Sequence, residues 1–297
     1  MIIAKDLQEK TAPLWQWQAS LALLLCNSKR GTILKQCRHH GPLYLQKPFY
    51  PEGKHCAHLY LLHPPGGLVS GDTLTISVHL TDGAQALITT PGAARVYHAR
   101  QQHPTQQQIV TLNLDKGAAV EWFPMETIIY NGAHAALTTT IELDDNSHFI
   151  GWEITCLGLP ASGKQFTQGQ FTQHLRINRH GMPLLIERFC YNAENPLIFN
   201  AAVAMQKRSA TGIFIAGPFS HQTTSDEIQA CLNMLRTTIN TAKLDHVIAI
   251  TWVNHFCIAR YLGDSANQAR DAFTLLWEIL RPQLLKRKAC APRIWLT

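Results

Sequence analysis

The run Thr-Leu-Thr-Ile-Ser-Val-His-Leu occupies residues 73–80, and apolar side chains alternate in it with polar ones. Because successive side chains of a β-strand point to opposite faces, this period of two predicts a strand with one buried face. Turn residues separate further runs of this kind, which is typical of a sandwich, barrel or solenoid of short strands. These runs lie near residues 17–26, 43–46, 58–62, 85–90, 107–114, 118–123, 127–130, 136–143, 148–156, 170–177, 183–190 and 246–253.

Helical periodicity begins only in the last third of the chain. The hydrophobic period changes near Thr224, which forms a capping-box pattern with Glu227. A second helix is predicted over residues 265–281, with Asp264 as its N-cap and Pro282 as its end. The fold class is therefore mainly β, with two α-helices in the C-terminal third. The apolar face of the first helix comprises Ile228, Cys231, Leu232, Leu235 and Ile239.

Length and composition favour a single domain with a surface poor in charge. The 297 residues contain no low-complexity run, and glycine and proline are spread over all three thirds of the chain. We therefore expect one domain, residues 1–297, with residues 1–16 as a candidate flexible leader. Charged residues make up 15% of the chain, against roughly 25% in typical soluble domains. Such a surface favours obligate partners.

The positive charge of the chain does not indicate nucleic-acid binding. The net charge is +6, yet lysine and arginine are dispersed and no basic stripe alternates with aromatic residues. The one dense patch contains Arg281, Lys286, Arg287 and Lys288. We expect this patch to be a solvated segment beyond a helix C-terminus, where cations suit the helix dipole; an acidic protein partner is the alternative.

The cysteines and the N-terminal residues indicate a reducing compartment. Eight cysteines include no Cys-x-x-Cys pair, which disfavours a zinc module. The first ten residues lack the apolar segment of a secretory signal, and the apolar run 21–26 is too short to span a membrane. The sequence therefore predicts free thiols, no membrane association and a cytoplasmic location.

A turn whose conformation is determined by proline and glycine residues follows the strand predicted at residues 58–62. Residues 60–72 read Tyr-Leu-Leu-His-Pro-Pro-Gly-Gly-Leu-Val-Ser-Gly-Asp. Proline fixes φ and glycine permits positive φ, so His63 and Asp72 flank a tight turn. Two other interpretations stay open, namely a simple surface loop and an anion-binding nest of glycine amides.

Six strings, in order and in register, resemble the urease accessory protein D family (UreD, also called UreH), a nickel-dependent maturation factor. Single motifs of this kind are weak, but six in series are hard to obtain by chance. The resemblance runs from about Trp17 to the last residue, and departures from the family pattern occur at Met125, Leu159 and Lys164. The strings are Gly-Pro-Leu-Tyr-Leu-Gln-Lys-Pro-Phe-Tyr-Pro-Glu-Gly (41–53), the turn 63–72, Thr-Thr-Pro-Gly-Ala-Ala-Arg-Val-Tyr (89–97), Glu-Trp-Phe-Pro-Met-Glu-Thr-Ile-Ile-Tyr-Asn-Gly-Ala (121–133), Gly-Trp-Glu-Ile-Thr-Cys-Leu-Gly (151–158), and the closing Leu-Arg-Pro (280–282) with Pro-Arg-Ile-Trp-Leu-Thr (292–297).

This resemblance implies both a fold and a function. The implied body is β-helix-like or sandwich-like, and the protein is a scaffold, not an enzyme. It docks on apo-urease and binds the F- and G-type accessory proteins, of which G is a GTPase, in a dimeric hetero-complex. Nickel(II) is bound only transiently, no cofactor is held tightly, and an internal water-filled passage carries the nickel toward urease.

Four carboxylates within or at the ends of apolar strands are candidates for such a passage: Asp72, Glu121, Glu126 and Glu153. A buried charge needs a cation, an arginine or water as compensation, and an ion pair, for example with Arg95 or Lys47, is the structural alternative. A path from which an ion must leave needs several weak sites in series. The resemblance favours Asp72, Glu126 and Glu153, together with His63, as the transient nickel path, and Glu121 is the weaker candidate.

Several alternatives stay open from the sequence alone. Cys56 and His58 share one strand face and form a possible metal pair. A hydrolase that uses Asp72 and Glu126 as an acid pair is the alternative enzyme, although no Gly-x-Ser-x-Gly motif is present. A purely structural adaptor is the third class. The C-terminal residues Ile294, Trp295 and Leu296 are expected either to anchor a partner or to pack back on the core.

Overall fold

The computed structural model of the protein describes residues 17–100 and 105–296. Three helices are α1 (Pro196–Asn200), α2 (Ser225–Thr241) and α3 (Ala266–Leu285). The strands are β1 (Gln18–Ser28), β2 (Gly31–His40), β3 (Tyr44–Leu45), β4 (Ala57–Leu62), β5 (Thr73–Leu80), β6 (Gln85–Thr89), β7 (Ala94–Val96), β8 (Gln106–Leu114), β9 (Ala119–Phe123), β10 (Thr127–Ile129), β11 (His134–Leu143), β12 (His148–Leu157), β13 (Gln170–Arg179), β14 (Met182–Asn192), β15 (Ala210–Gly217), β16 (Ile248–Val253) and β17 (Phe256–Gly263).

The strands form two stacked sheets. The first has the order β14-β13-β11-β8-β5-β1-β2, and the main path of the second has the order β16-β17-β15-β12-β9-β6-β4-β3. From β4 to β13 the main strands enter the two sheets alternately, and neighbours within each sheet are parallel. The chain therefore winds between the sheets, as in a β-helix, and antiparallel strands close both ends.

Two apolar cores hold three layers together. One core fills the space between the sheets, and the other lies between the second sheet and helices α2 and α3. Strand β12 contributes to both: Phe149 and Leu157 face the first sheet, whereas Trp152 and Ile154 face the helices. Because side chains alternate along a strand, Glu153 faces the space between the sheets.

The mainly β fold predicted from the sequence is confirmed, and its sheets are open, not closed into a barrel. Four strands escaped prediction: β2, the short β7, β15 and β17. Strands β15 and β17 are covered on one face by the first sheet and on the other by helices, so they carry no alternation of apolar and polar residues. Strand β2 is an edge strand with a largely polar, exposed outer half.

Both long helices are confirmed, but the predicted ends of α3 were wrong. Ser265, not Asp264, caps the helix and accepts a hydrogen bond from the amide of Gln268 at 3.3 Å. Asp264 instead pairs with Arg208 at 2.6 Å. Pro282 lies inside the helix, which continues to Leu285 because packing on the sheet outweighs the loss of one backbone hydrogen bond.

All eight cysteines are free, as predicted. No helix within the described ranges is long and apolar enough to cross a membrane. The expected leader, residues 1–16, lies outside the described residues.

Candidate functional site

In each sheet, a row of residues paired across neighbouring strands runs at right angles to the strands and contains polar side chains that face the interior of the sandwich. In the first sheet Thr139 lies opposite Leu175, which lies opposite Glu187. In the second sheet Glu153 lies opposite Ile213, which in turn lies opposite Arg260. Because neighbouring strands lie about 4.8 Å apart, the backbones of Glu153 and Arg260 are about 10 Å apart.

Three cavities follow these rows between the sheets. Their volumes are about 240, 60 and 290 Å³. The first and second share Glu153 and Gln173 in their walls, and the second and third share Ala94, Thr90 and other residues. The cavities therefore form one series, from the edge at β14 and β17, past Glu153, to the turn at His63.

Glu153 lies within the sandwich at the junction of the first two cavities. Its carboxylate accepts hydrogen bonds from the hydroxyl of Thr139 at 2.5 Å and from the side-chain amide of Gln173. Thr155 donates to the oxygen of the Gln173 amide at 3.1 Å, which directs the Gln173 nitrogen toward Glu153. Both partners are neutral, and no ion pair with Glu153 forms among the described residues. Burial raises the pKa of Glu153, an effect that the two hydrogen bonds reduce.

Glu153→Gln is expected to stabilise the isolated protein at alkaline pH. Because the folded state raises the pKa of Glu153, the native carboxylate loses stability as pH rises above the ordinary glutamate value of about 4.3. Glutamine keeps both contacts without a charge, because its amide oxygen can accept from Gln173 while its amide nitrogen donates to the hydroxyl of Thr139. The melting temperature of the variant should exceed that of the wild type most clearly near pH 8, and the difference should shrink toward pH 5. A difference independent of pH would contradict this assignment.

At the other end of the series, Asp72 holds the turn that carries His63. Its carboxylate accepts hydrogen bonds from the backbone amides of Val69 and Trp17, at 2.9 and 3.1 Å. The amide of Gly66 donates to the carbonyl of His63 at 2.9 Å, so two amides of the turn are already bonded. His63 lines the third cavity, and burial lowers its pKa, against the influence of Asp72.

Glu126 forms an ion pair with Arg270 of α3 at 3.4 Å. The same guanidinium lies 3.3 Å from the sulfur of Met125, which lines the middle cavity. The described walls of the three cavities include Glu153 and His63, but neither Asp72 nor Glu126. The structure thus brings two of the four predicted path residues into one series of cavities and gives the other two local partners.

Glu121 belongs to a separate buried cluster beneath α3. It accepts hydrogen bonds from Trp277 at 2.6 Å and from Arg281 at 2.8 Å. Arg281 also pairs with Glu52 at 2.6 Å. Although burial acts in the opposite direction, hydrogen bonds from His58 and Arg281 lower the pKa of Glu52 to about 2. The prediction that Arg281 is solvated was therefore wrong, because its side chain is fully buried.

Two groups of three metal-ligand side chains occur in the described chain: Glu52 with Cys56 and His58, and Asp144 with Asp145 and His180. The first group is poorly suited to a cation, since Arg281 and Arg287 already face Glu52. Burial, reinforced by the charge of Glu121, raises the pKa of the Cys56 thiol to about 12. The thiol is therefore protonated at neutral pH and is a weak ligand.

The C-terminal segment packs back on the second sheet. Residues Arg293–Leu296 form a 3-10 turn, in which the indole of Trp295 donates to the hydroxyl of Thr89 at 3.0 Å. The Trp295 ring lies 5.8 Å from Phe123 and 5.4 Å from Trp152. Leu296 is 88% exposed. A partner-binding role for Ile294, Trp295 and Leu296 stays a prediction.

Sequence reasoning missed the side chains that complete the series, namely Thr139, Gln173, Glu187 and Arg260. A signal existed for Gln173, a polar residue at an inward position of a strand that was predicted. Arg260 gave no such signal, because β17 was not recognised.

Comparisons with known proteins identify relatives over almost the whole chain. The sequence profile of the family described as "UreD urease accessory protein" matches residues 18–296. A protein named urease accessory protein UreD from Marinomonas sp. (strain MWYL1) is 43% identical over 287 residues, covering 95% of this chain and 90% of the relative. Proteins of the same name from Hahella chejuensis and Saccharophagus degradans are each 39% identical, covering 95% and 98% of this chain and 91% and 97% of their own. The chain therefore belongs to the UreD family of urease accessory proteins.

Proposed function

We propose that this protein is a non-catalytic scaffold that conducts nickel(II) to urease through the series of cavities between its two sheets. Family membership ties the chain to urease maturation. The finer assignment is that it docks on apo-urease, binds the F- and G-type accessory proteins in a dimeric hetero-complex, and works in the cytoplasm. Nickel is its cargo and is held only transiently.

The observation that carries this proposal is a buried carboxylate at the junction of two cavities, with which the described residues form no ion pair. Ionised Glu153 attracts a cation, and carboxylate and imidazole are groups that bind nickel. Glu153 and His63 lie in different parts of the series, and neutral Gln173 and Thr139 accompany Glu153 at its junction. Isolated weak ligands suit passage better than storage, because an ion held by a closed tetrahedral set leaves slowly.

Asp72 and Glu126 serve the same passage indirectly in this proposal. Asp72 fixes the turn of His63, and the pair of Glu126 with Arg270 fixes the wall at Met125. The competing hydrolase would use Asp72 and Glu126 together as acid and base. The positions of the two carboxylates disfavour a hydrolase, because each carboxylate has its own partners and the pair shares no described cavity.

Glu153→Gln is the variant that tests the passage. In cells that express urease with all its accessory proteins, we expect this variant to lower the nickel content and activity of urease about ten-fold, the factor that 1.4 kcal/mol of lost cation stabilisation produces. Glutamine preserves size and can bond both partners, with its amide nitrogen donating to the hydroxyl of Thr139, so the fold and the binding of partners should be unchanged.

Glu142→Gln provides the matched control. Glu142 lies on β11, where inward residues Thr139 and Ile141 alternate with outward ones, and it accepts a hydrogen bond from Asn178 at 2.5 Å. This control should leave urease nickel unchanged. Full nickel loading with Glu153→Gln would refute conduction past Glu153. Loss of partner binding together with nickel would assign Glu153 a structural role.

A further inference from the structure

An ion pair bridges the two sheets where the series of cavities reaches the edge of the sandwich. Glu187 belongs to β14, the edge strand of the first sheet, and Arg260 belongs to β17 of the second sheet. Both side chains line the first cavity. They reach solvent as well, with 26% of Glu187 and 46% of Arg260 exposed. The pair therefore stands between the cavity and the surrounding water.

Glu187 occupies an unusual position for a carboxylate. On β14 it alternates in phase with Leu185 and Tyr191, which belong to the core between the sheets. An acidic side chain on the inner face of an edge strand is costly unless a cation compensates it. Arg260 supplies that cation from the opposite sheet, in the strand row that also contains Glu153.

The charges at this edge oppose a free cation. Arg260 neutralises Glu187 at this end of the cavity, whereas the guanidinium of Arg188 lies on the outer face of β14, where it donates to the sulfur of Cys190 at 3.3 Å. A metal ion that approaches from solvent therefore meets the half-exposed guanidinium of Arg260 before it reaches Glu153. If Arg260 turns outward to solvent, Glu187 becomes free as an oxygen ligand. A half-exposed pair of this kind is weak and exchanges readily.

We propose that Glu187 is the outer metal-binding position of the passage and that Arg260 is its resident counter-cation, so that the pair forms a gate that divalent metal opens by exchange. This inference rests on the proposed passage and adds a mechanism that regulates the entry of metal. Arg260 holds the gate shut in the isolated protein, and a cation enters only when it takes the place of the guanidinium on Glu187.

Nickel binding to the purified full chain, measured by titration calorimetry with nickel alone, tests the gate. Arg260→Gln removes the competing cation and leaves Glu187 as a free ligand. We expect this variant to bind nickel about five-fold more tightly than the wild type, within the range set by a partly exposed ion pair. Glu187→Gln combined with Arg260→Gln should abolish the gain, because the ligand is then absent.

Arg208→Gln is the matched control, since it breaks an ion pair outside the walls of the three cavities. The partner is Asp264, and the exposed fractions of the Arg208 and Asp264 side chains are 48% and 50%. It should bind nickel as the wild type does, and melting curves should show every variant folded. Wild-type affinity in Arg260→Gln would overturn the gate, as would a gain that persists in the double variant or that occurs in Arg208→Gln.

Glu153→Gln separates the two proposals in the same titration. If this variant weakens nickel binding while Arg260→Gln leaves it unchanged, the gate fails and the passage stands. If neither substitution alters nickel binding, or if no protein binds nickel, both proposals fail.

Discussion

Glu121→Ala is expected to lower the free energy of unfolding by about 3 kcal/mol, because it removes one of the two carboxylates that pair with the buried Arg281. The Arg281 side chain is fully buried, and Glu121 accepts two of its hydrogen bonds. The indole of Trp277 loses its acceptor in the same step. Denaturant unfolding measures the change, and the melting temperature should fall by roughly 10 °C.

Two further variants make this result specific. Glu121→Gln combined with Arg281→Met removes both charges and should recover a large part of the lost stability, since Glu52 keeps His58 and Arg287 as partners. Arg208→Ala breaks an exposed pair and should cost at most about 1 kcal/mol. If Glu121→Ala were as mild as Arg208→Ala, the cluster beneath α3 would not stabilise the fold as described.

Ala94→Phe is expected to abolish nickel delivery by filling the narrowest part of the passage. Ala94 lies in the walls of both the middle and the third cavity, and the middle cavity has a volume of only about 60 Å³. The added ring is larger than the space open to a hydrated ion there. Urease from cells that carry this variant should contain as little nickel as urease from cells without the protein.

The partners bound to the Ala94→Phe variant show whether the loss reflects blockage. Overpacking costs about 1–3 kcal/mol, so the variant should fold and co-purify with urease and the accessory proteins. Ala242→Phe, at an exposed position after α2, is the control for added aromatic volume. Normal nickel content with Ala94→Phe would show that nickel does not travel through the middle cavity.

The fold was predictable where one face of an element meets solvent. Strand β5 alternates strictly between buried and half-buried residues, and its sequence shows the same period. Strands β15 and β17 are covered on both faces, so their sequences contain no such period. The prediction of where α3 ends failed for a different reason. Pro282 was given its usual role as a helix terminator, but the apolar face of α3 continues to Leu284 and holds the helix to Leu285.

The candidate site was predictable only in part, because sequence identifies an unusual residue but not its partner. Glu153 stood out as a charge in an apolar strand, and it lies in the passage. Glu126 stood out for the same reason, yet its partner is Arg270, 144 residues away. Arg281 illustrates the converse. It lies four residues after Trp277 on the buried face of α3, so helical spacing contained a signal that its charge concealed.

The winding of the chain between the sheets also determines when the passage is completed during synthesis. Its walls are contributed turn by turn, and Glu187 leaves the ribosome 73 residues before the arginine that neutralises it. Since domains begin to form from the N-terminal side, the growing chain contains Glu153 and Glu187 before it contains Arg260. In the proposed gate the edge closes only after β17 has been made, so control over metal access is acquired late in synthesis.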